Sequence, residues 1–189
     1  WLYKPDDYFE ATWRKGPGAG PTMINLIHDI DLMRYLCGEI TEVQAMRSNA
    51  ARGNAVEDTA AVLLRFENGA LGTFSVSDTA TAPWSWEMTS GENPIYPQTT
   101  QSCYTIGGTH ASLSVPDLHL WTHDGLRSWW NPIGDTQLPV THIDAFALQF
   151  THFIDVIAGA TPLVSAQEGR NSLAAVLQVV GSALQGNTA

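Results

Sequence analysis

The polar residues best suited to acid–base chemistry cluster at Asn25-Leu-Ile-His28-Asp29-Ile-Asp31. At helical spacing Asn25, His28 and Asp31 fall at i, i+3 and i+6, so their side chains converge on one side of the first turns. A carboxylate beside an imidazole fixes its tautomer and raises its pKa, which is what a general acid or base requires. The competing reading is structural, with Asp29 or Asp31 interacting with the helix N-terminus and His28 as a polar surface residue. A second group, Asp117, His119, His123 and Asp124, has a spacing that invites a metal. Trp121 shares its strand face, however, and the segment runs into an Asp124-Gly125 turn, so a solvated strand end is favoured and no metal is assigned. His152, between Gln149 and Asp155, is read as the polar side of a helix. The glycine-rich run Lys15-Gly-Pro-Gly-Ala-Gly-Pro21 has GxGxG spacing and no preceding strand, and Pro17 and Pro21 remove two N–H groups that a phosphate would need, so it is read as a turn. The sequence contains no GxSxG, HExxH, paired CxxC or Walker motif.

These residues must be held by elements that the hydrophobic periodicity defines. Residues 1–22 read as irregular. Leu26, Ile27, Ile30, Met33 and Leu36 recur at helical spacing over Asn25–Cys37, with Gly38 placed to end the helix. Period-two alternation predicts strands over Val43–Arg52, Asp58–Glu67 and Ala70–Asp78, the last two joined by an Asn68-Gly69 hairpin. A long Pro- and Trp-rich loop over 79–101 holds one short strand at Trp86–Thr89, and further strands follow near Cys103–Ile106, Ala111–Val115, Leu118–Thr122 and Ser128–Trp130. Thr141-His-Ile-Asp144 has capping-box spacing before a helix with an apolar face of Ile143, Phe146, Phe150, Phe153, Ile154 and Ile157. Ser165-Ala-Gln-Glu168 is a second capping box, before a helix carrying Leu173, Val176, Leu177, Val180 and Leu184 and ending at Gly186. Helix, then antiparallel strands, then helices is an α+β order, with a large open sheet of six or more strands and helices on one face.

The chain has 189 residues, 9 Lys+Arg against 19 Asp+Glu, and a formal net charge of −10. That size fits one domain over 1–189, and the acidic balance argues against a nucleic-acid or anionic-membrane partner. No apolar run is long enough to span a bilayer, and Cys37 and Cys103 read as reduced thiols, so a cytoplasmic setting is expected. Charged residues are only 15% of the chain, which leaves much neutral surface for a partner to cover. Only two lysines occur, Lys4 and Lys15. A chain that opens on Trp1 is expected to be part of a longer protein.

The segments Ile24-Asn-Leu-Ile-His28-Asp-Ile-Asp31-Leu-Met-Arg-Tyr-Leu-Cys-Gly38-Glu, Val56-Glu-Asp-Thr-Ala60 and Phe66-Glu-Asn-Gly-Ala-Leu-Gly72, in this order, resemble the C-terminal domain of the glucose-fructose oxidoreductase / inositol dehydrogenase (Gfo/Idh/MocA) family. Gly108-Thr-His-Ala-Ser-Leu113 and Gln149-Phe-Thr-His-Phe153 extend the likeness over nearly the whole chain. The resemblance implies a substrate-binding and oligomerisation domain whose partner, an N-terminal Rossmann domain absent from this chain, binds NAD or NADP. No cofactor-binding residue is expected here. It also implies a sugar, polyol or related secondary alcohol as substrate and a homodimer or tetramer formed through the sheet. The family's catalytic set is a Lys in a Glu-Lys-Pro motif plus an Asp and, four residues on, a His. His28 matches the His, Ile24 stands where the Asp would, and Asn25 is the nearest polar residue. Lys4-Pro5 follows Leu2-Tyr3 and is not the family motif. Lys4, Trp13 and Arg14, with Trp84 and Trp86 and their neighbours Glu87 and Tyr96, are candidate substrate contacts. A non-catalytic binding or oligomerisation module derived from the same family is the second reading.

Overall fold

The computed structural model describes residues 1–141 and 143–185. They form two compact units, one of residues 1–81 with the segment from Leu163 onward, the other of Ala82–Pro162. The architecture is α+β, with antiparallel sheets and helices.

In the first unit, β1 (Ile40–Ser48), β2 (Thr59–Phe66) and β3 (Leu71–Ser77) form an antiparallel sheet in that order. Along β2, Ala60, Val62, Leu64 and Phe66 are buried and Ala61, Leu63 and Arg65 are exposed, so one face makes core and the other does not. The β2–β3 hairpin turns at Asn68-Gly69 as expected, with Gly69 at φ +86°. β1 starts and stops earlier than its alternation predicts. After Ser48 the chain turns, because the Asp58 carboxylate accepts the N–H groups of Ala51 and Arg52, each at 3.0 Å.

Two 3-10 turns (Asp6–Glu10, Thr12–Lys15) and α1 (Pro21–Ile24) occupy the stretch that reads as irregular. Pro21 opens α1 at a position where its missing N–H costs nothing. α2 (Leu26–Cys37) buries Leu26, Ile30 and Met33 and ends at Gly38, φ +98°, as expected, whereas Leu36 of the expected apolar stripe is exposed. In α5 (Ala166–Gln185) the Ser165 hydroxyl accepts the Glu168 N–H at 3.2 Å. Only that half of the capping box forms. The Glu168 carboxylate turns away to Arg34 on α2, at 2.7 Å. The buried stripe of α5 is Ser172, Ala175, Val176, Val179 and Ala183, rotated from the predicted one, and Leu173 and Leu177 are exposed. Small residues let α5 approach the sheet edge, where the Ser182 hydroxyl accepts the Ala45 N–H of β1 at 3.1 Å. The predicted helix end at Gly186 and the Leu184 side chain lie outside the described residues.

In the second unit, β4 (Tyr104–Gly107), β5 (Ala111–Val115), β6 (His119–Thr122) and β7 (Gly134–Gln137) form an antiparallel meander. The seven described strands therefore form two sheets, of three and four strands. Two local expectations are corrected. Trp86–Thr89 is a helical turn, α3, because the Ser85 hydroxyl caps the Met88 N–H at 3.3 Å. Ser128–Trp130 is a turn closed by the Asn131 side chain on the Leu126 carbonyl at 2.7 Å, and the strand comes at β7 instead. α4 (Ala145–Ile157) is capped by Asp144, whose carboxylate accepts the N–H groups of Phe146 and Ala147, not by Thr141. Residue 142 of that predicted box lies outside the described residues. No residue of α4 is buried, and Phe146, Phe150, Phe153, Ile154 and Ile157 are all exposed. No described helix is long and apolar enough to cross a membrane.

Candidate active site

A polar contact joins the N-terminal segment to the junction of α1 and α2. Asn25 joins the two helices: its N–H bonds the Pro21 carbonyl at 3.0 Å and its own carbonyl accepts the His28 N–H at 3.0 Å. Its side chain caps neither helix. Instead its Oδ1 accepts from the Lys4 Nζ at 2.8 Å. Lys4 is buried, 8% exposed, with its ammonium 5.1 Å from the centre of the Tyr8 ring.

The backbone around Lys4 is tied to the end of β3 and to Arg52. The Lys4 N–H donates to the Asp78 carbonyl at 2.9 Å, and Arg52 donates to the Lys4 carbonyl at 2.6 Å and to the Asp78 carboxylate at 2.9 Å. Burial pushes the Asp78 carboxyl above its ordinary range, against the pull of the Arg52 hydrogen bond and charge and of the Lys4 charge. Arg52 also lies over the Phe9 ring at 4.2 Å, which fixes the first 3-10 turn against it.

The three residues at i, i+3 and i+6 do not converge. Asn25 turns to Lys4. His28 is exposed, one turn further along α2. Asp31 accepts from Ser172 and sits 3.9 Å from Arg34, and so belongs to a structural cluster. There Arg34, only 4% exposed at its side chain, donates to both Glu39 oxygens (3.0 and 2.6 Å), to Ser172 at 2.7 Å and to Glu168. This ties α2 to α5 and to the start of β1.

Trp13 is exposed, and Arg14 packs over the Tyr8 ring at 4.1 Å while donating to the Tyr8 carbonyl at 2.7 Å. Lys4, Tyr8 and Arg14 are thus brought together. Trp84 and Trp86 belong to the second unit, where Trp86 donates to Glu92 at 3.0 Å and packs near Tyr104.

The glycine run does not fit a dinucleotide pyrophosphate. The Glu57 carboxylate already accepts the Thr22 N–H at 3.2 Å at the start of α1, and a Cβ on Gly20 would lie 2.2 Å from Glu57 Oε1. A carboxylate occupies the place where a phosphate would sit. Gly20 is there for close approach, a role that the sequence alone concealed because Glu57 lies 35 residues beyond its partner Thr22.

The two histidines read against a metal turn to separate partners, His119 to Asp135 at 2.9 Å and His123 to the Pro132 carbonyl at 3.1 Å. Among the described residues no group of three or more His, Cys, Asp or Glu could hold a metal ion. The Asp135 hydrogen bond, then its charge and that of Asp117, raise the His119 pKa against partial desolvation. Asp117 is pushed up by burial, but its bonds from Ser102 and Ser114 and the nearby His119 leave it below the usual carboxylate range.

Comparison with curated proteins returns no significant match. Solved structures match the fold over nearly the whole chain. UDP-N-acetylglucosamine 3-dehydrogenase GnnA from Acidithiobacillus ferrooxidans is 22% identical with a TM-score of 0.68, over 96% of this chain and 50% of that one. The WlbA dehydrogenase from Bordetella pertussis, in complex with NADH and UDP-GlcNAcA, is 24% identical with a TM-score of 0.65, over 98% and 50%. Levoglucosan dehydrogenase, in complex with NADH and levoglucosan, is 18% identical with a TM-score of 0.66, over 98% and 55%. The chain spans about half the length of each of these proteins. A family model described as the GFO/IDH/MocA C-terminal domain matches residues 1–114, and the chain belongs to that family.

Proposed function

We propose that residues 1–189 are the substrate-binding and assembly domain of an NAD(P)-dependent dehydrogenase acting on a sugar, polyol or related secondary alcohol. The cofactor is held by a nucleotide-binding domain outside this chain. The observation that carries the reading is the part-buried bond from the buried Lys4 to Asn25, near the exposed His28, within a fold shared with dehydrogenases solved with NADH and sugar-derived ligands. Burying an ammonium is costly, and this one is spent on orienting a side chain that caps no helix. We assign His28 to proton transfer at a substrate hydroxyl, and the Asn25 amide to orienting a substrate oxygen without relaying a proton. A nicotinamide held by the other domain would supply the hydride acceptor for the carbinol carbon.

The outer face of the β1–β3 sheet is the surface we assign to assembly. Met46 is 77%, Leu63 54% and Leu71 71% exposed on strands whose other face is core, and a second subunit would remove them from water.

The test is the full-length protein with NAD+ or NADP+ and a panel running from UDP-N-acetylglucosamine to free sugars and inositol, followed by absorbance of the reduced nicotinamide. His28→Ala is expected to lower kcat by about 100-fold or more while leaving the melting temperature close to wild type. Equal loss of activity and folding would return His28 to a structural role. Absence of any turnover, with the variant folded as wild type, would favour the non-catalytic module.

A further inference from the structure

We propose that Lys4 is a positioning residue that locks the Asn25 side-chain amide as a two-hydrogen donor facing a substrate oxygen. This rests on the reading that Asn25 and His28 face substrate. An ammonium carries only donors, so the Asn25 atom 2.8 Å from Lys4 Nζ is the amide oxygen. Flipping the amide would set an NH2 group against an NH3+ group, donor against donor, and that orientation is closed.

Lys4 cannot easily give way. Its N–H and carbonyl are bonded to Asp78 and Arg52, its ammonium lies over Tyr8, and the side chain is buried. With Oδ1 committed, the amide has N–H groups to offer to a ligand. Asn25 then selects for an acceptor, a hydroxyl lone pair or a carbonyl oxygen, and rejects an ammonium or any other group that only donates. The bond strengthens as negative charge builds on the substrate oxygen, so its effect falls on kcat more than on KM. The nearby Lys4 charge polarises the amide in the same sense.

The experiment uses the full-length protein with NAD+ and UDP-N-acetylglucosamine, and four variants: K4M, K4R, N25A and K4M/N25A. Losing the Asn25 donor is expected to lower kcat by about 100-fold, and losing its orientation in K4M by at least about tenfold. K4R, still donor-only, is expected to recover most of the K4M loss. In the N25A background K4M is expected to cost nothing further in kcat. If K4M lowers kcat by the same factor in both backgrounds, Lys4 is merely structural and the proposal falls.

A readout independent of turnover is the side-chain 15N amide pair of Asn25, assigned by its loss in N25A. Its signals are expected to shift in K4M and return towards wild type in K4R. Signals that K4M leaves unmoved would overturn the proposal, whether or not the enzyme turns over. Shifted signals without turnover on any sugar would leave the Lys4 lock standing and instead overturn the dehydrogenase reading.

Discussion

Gly20→Ala tests whether a remote carboxylate, and not local backbone geometry, is what demands glycine before α1. Gly20 has φ −71° and ψ 159°, a conformation that alanine adopts without strain. On local grounds the substitution should stabilise, by about 0.4–1 kcal/mol, through a less flexible unfolded chain. The new Cβ, however, would lie 2.2 Å from Glu57 Oε1 and 2.5 Å from its Cδ. The carboxylate can move, but only by releasing the Thr22 N–H it caps and the Arg47 guanidinium 3.9 Å away. Thr22 is 3% exposed, so its N–H is left without water, and losing the cap costs about 1–2 kcal/mol. The balance is a net loss of about 1 kcal/mol, or about 2–4 °C in Tm for a chain of this size. Glu57→Ala alone loses the same cap. In that background Gly20→Ala has nothing left to displace, and its sign should reverse to a gain of about 0.4–1 kcal/mol. Urea denaturation of the four proteins, followed by far-UV circular dichroism and tryptophan fluorescence, gives the coupling. A coupling within about 0.5 kcal/mol of zero would refute the account.

Three other perturbations follow from the same geometry. Arg34→Met removes the centre of the cluster joining α2, β1 and α5, and because Glu39 and Glu168 are half-exposed and can rehydrate, the loss should fall near the low end for a broken buried pair, about 3 kcal/mol by denaturation. A loss below about 1 kcal/mol would contradict this. Asp135→Asn should bring the His119 midpoint, read from its ring-proton NMR signal, down towards 6.5. Because the pKa of His119 is raised on folding, its contribution to stability is present below 6.5 and fades as pH rises through the folded midpoint, so wild type and variant should converge at high pH. An unmoved midpoint would remove Asp135 as the cause. Met46→Glu with Leu63→Glu should lower the mass measured by light scattering if β1–β3 is the assembly face, and an unchanged oligomer would rule that face out.

The fold was legible where one local signal decides the outcome. Asn68-Gly69, the Gly38 stop and the alternation of β2 needed no distant partner, and each appears where its residues imply. Errors came where a side chain reaches across the chain. β1 stops at Ser48 because Asp58, ten residues on, captures the next turn's N–H groups. α5 packs Ser172, Ala175, Val176, Val179 and Ala183 inward, with Ser182 reaching the Ala45 N–H at the sheet edge, and leaves the larger Leu173 and Leu177 exposed. Periodicity reports how apolar a stripe is, but it carries no information on how closely the opposing surface approaches.

The candidate site shows the same division more sharply. Helical spacing groups Asn25, His28 and Asp31, yet spacing fixes only where side chains start: Asn25 and Asp31 are claimed by different neighbours, and His28 is exposed. Asp31 went to Ser172, 141 residues away, and Asn25 went to Lys4, 21 residues before it. Lys4 carried no motif, and its sequence context counted against it. What singles it out is energetic. A buried ammonium persists only where its partners offset desolvation, and here the partners are an amide oxygen, an aromatic face and the negative charge of Asp78. Asp78 is itself held between Arg52 and the cost of its own burial, so weakening Lys4 should be felt at Asp78 as well as at Asn25. The two effects separate by assay: the Asp78 half belongs to the stability of the β3 end, and the Asn25 half to the orientation of a donor. A lysine serving only the first would be replaceable by any residue that keeps Asp78 satisfied, whereas a lysine serving both is replaceable only by another donor that can reach the amide oxygen.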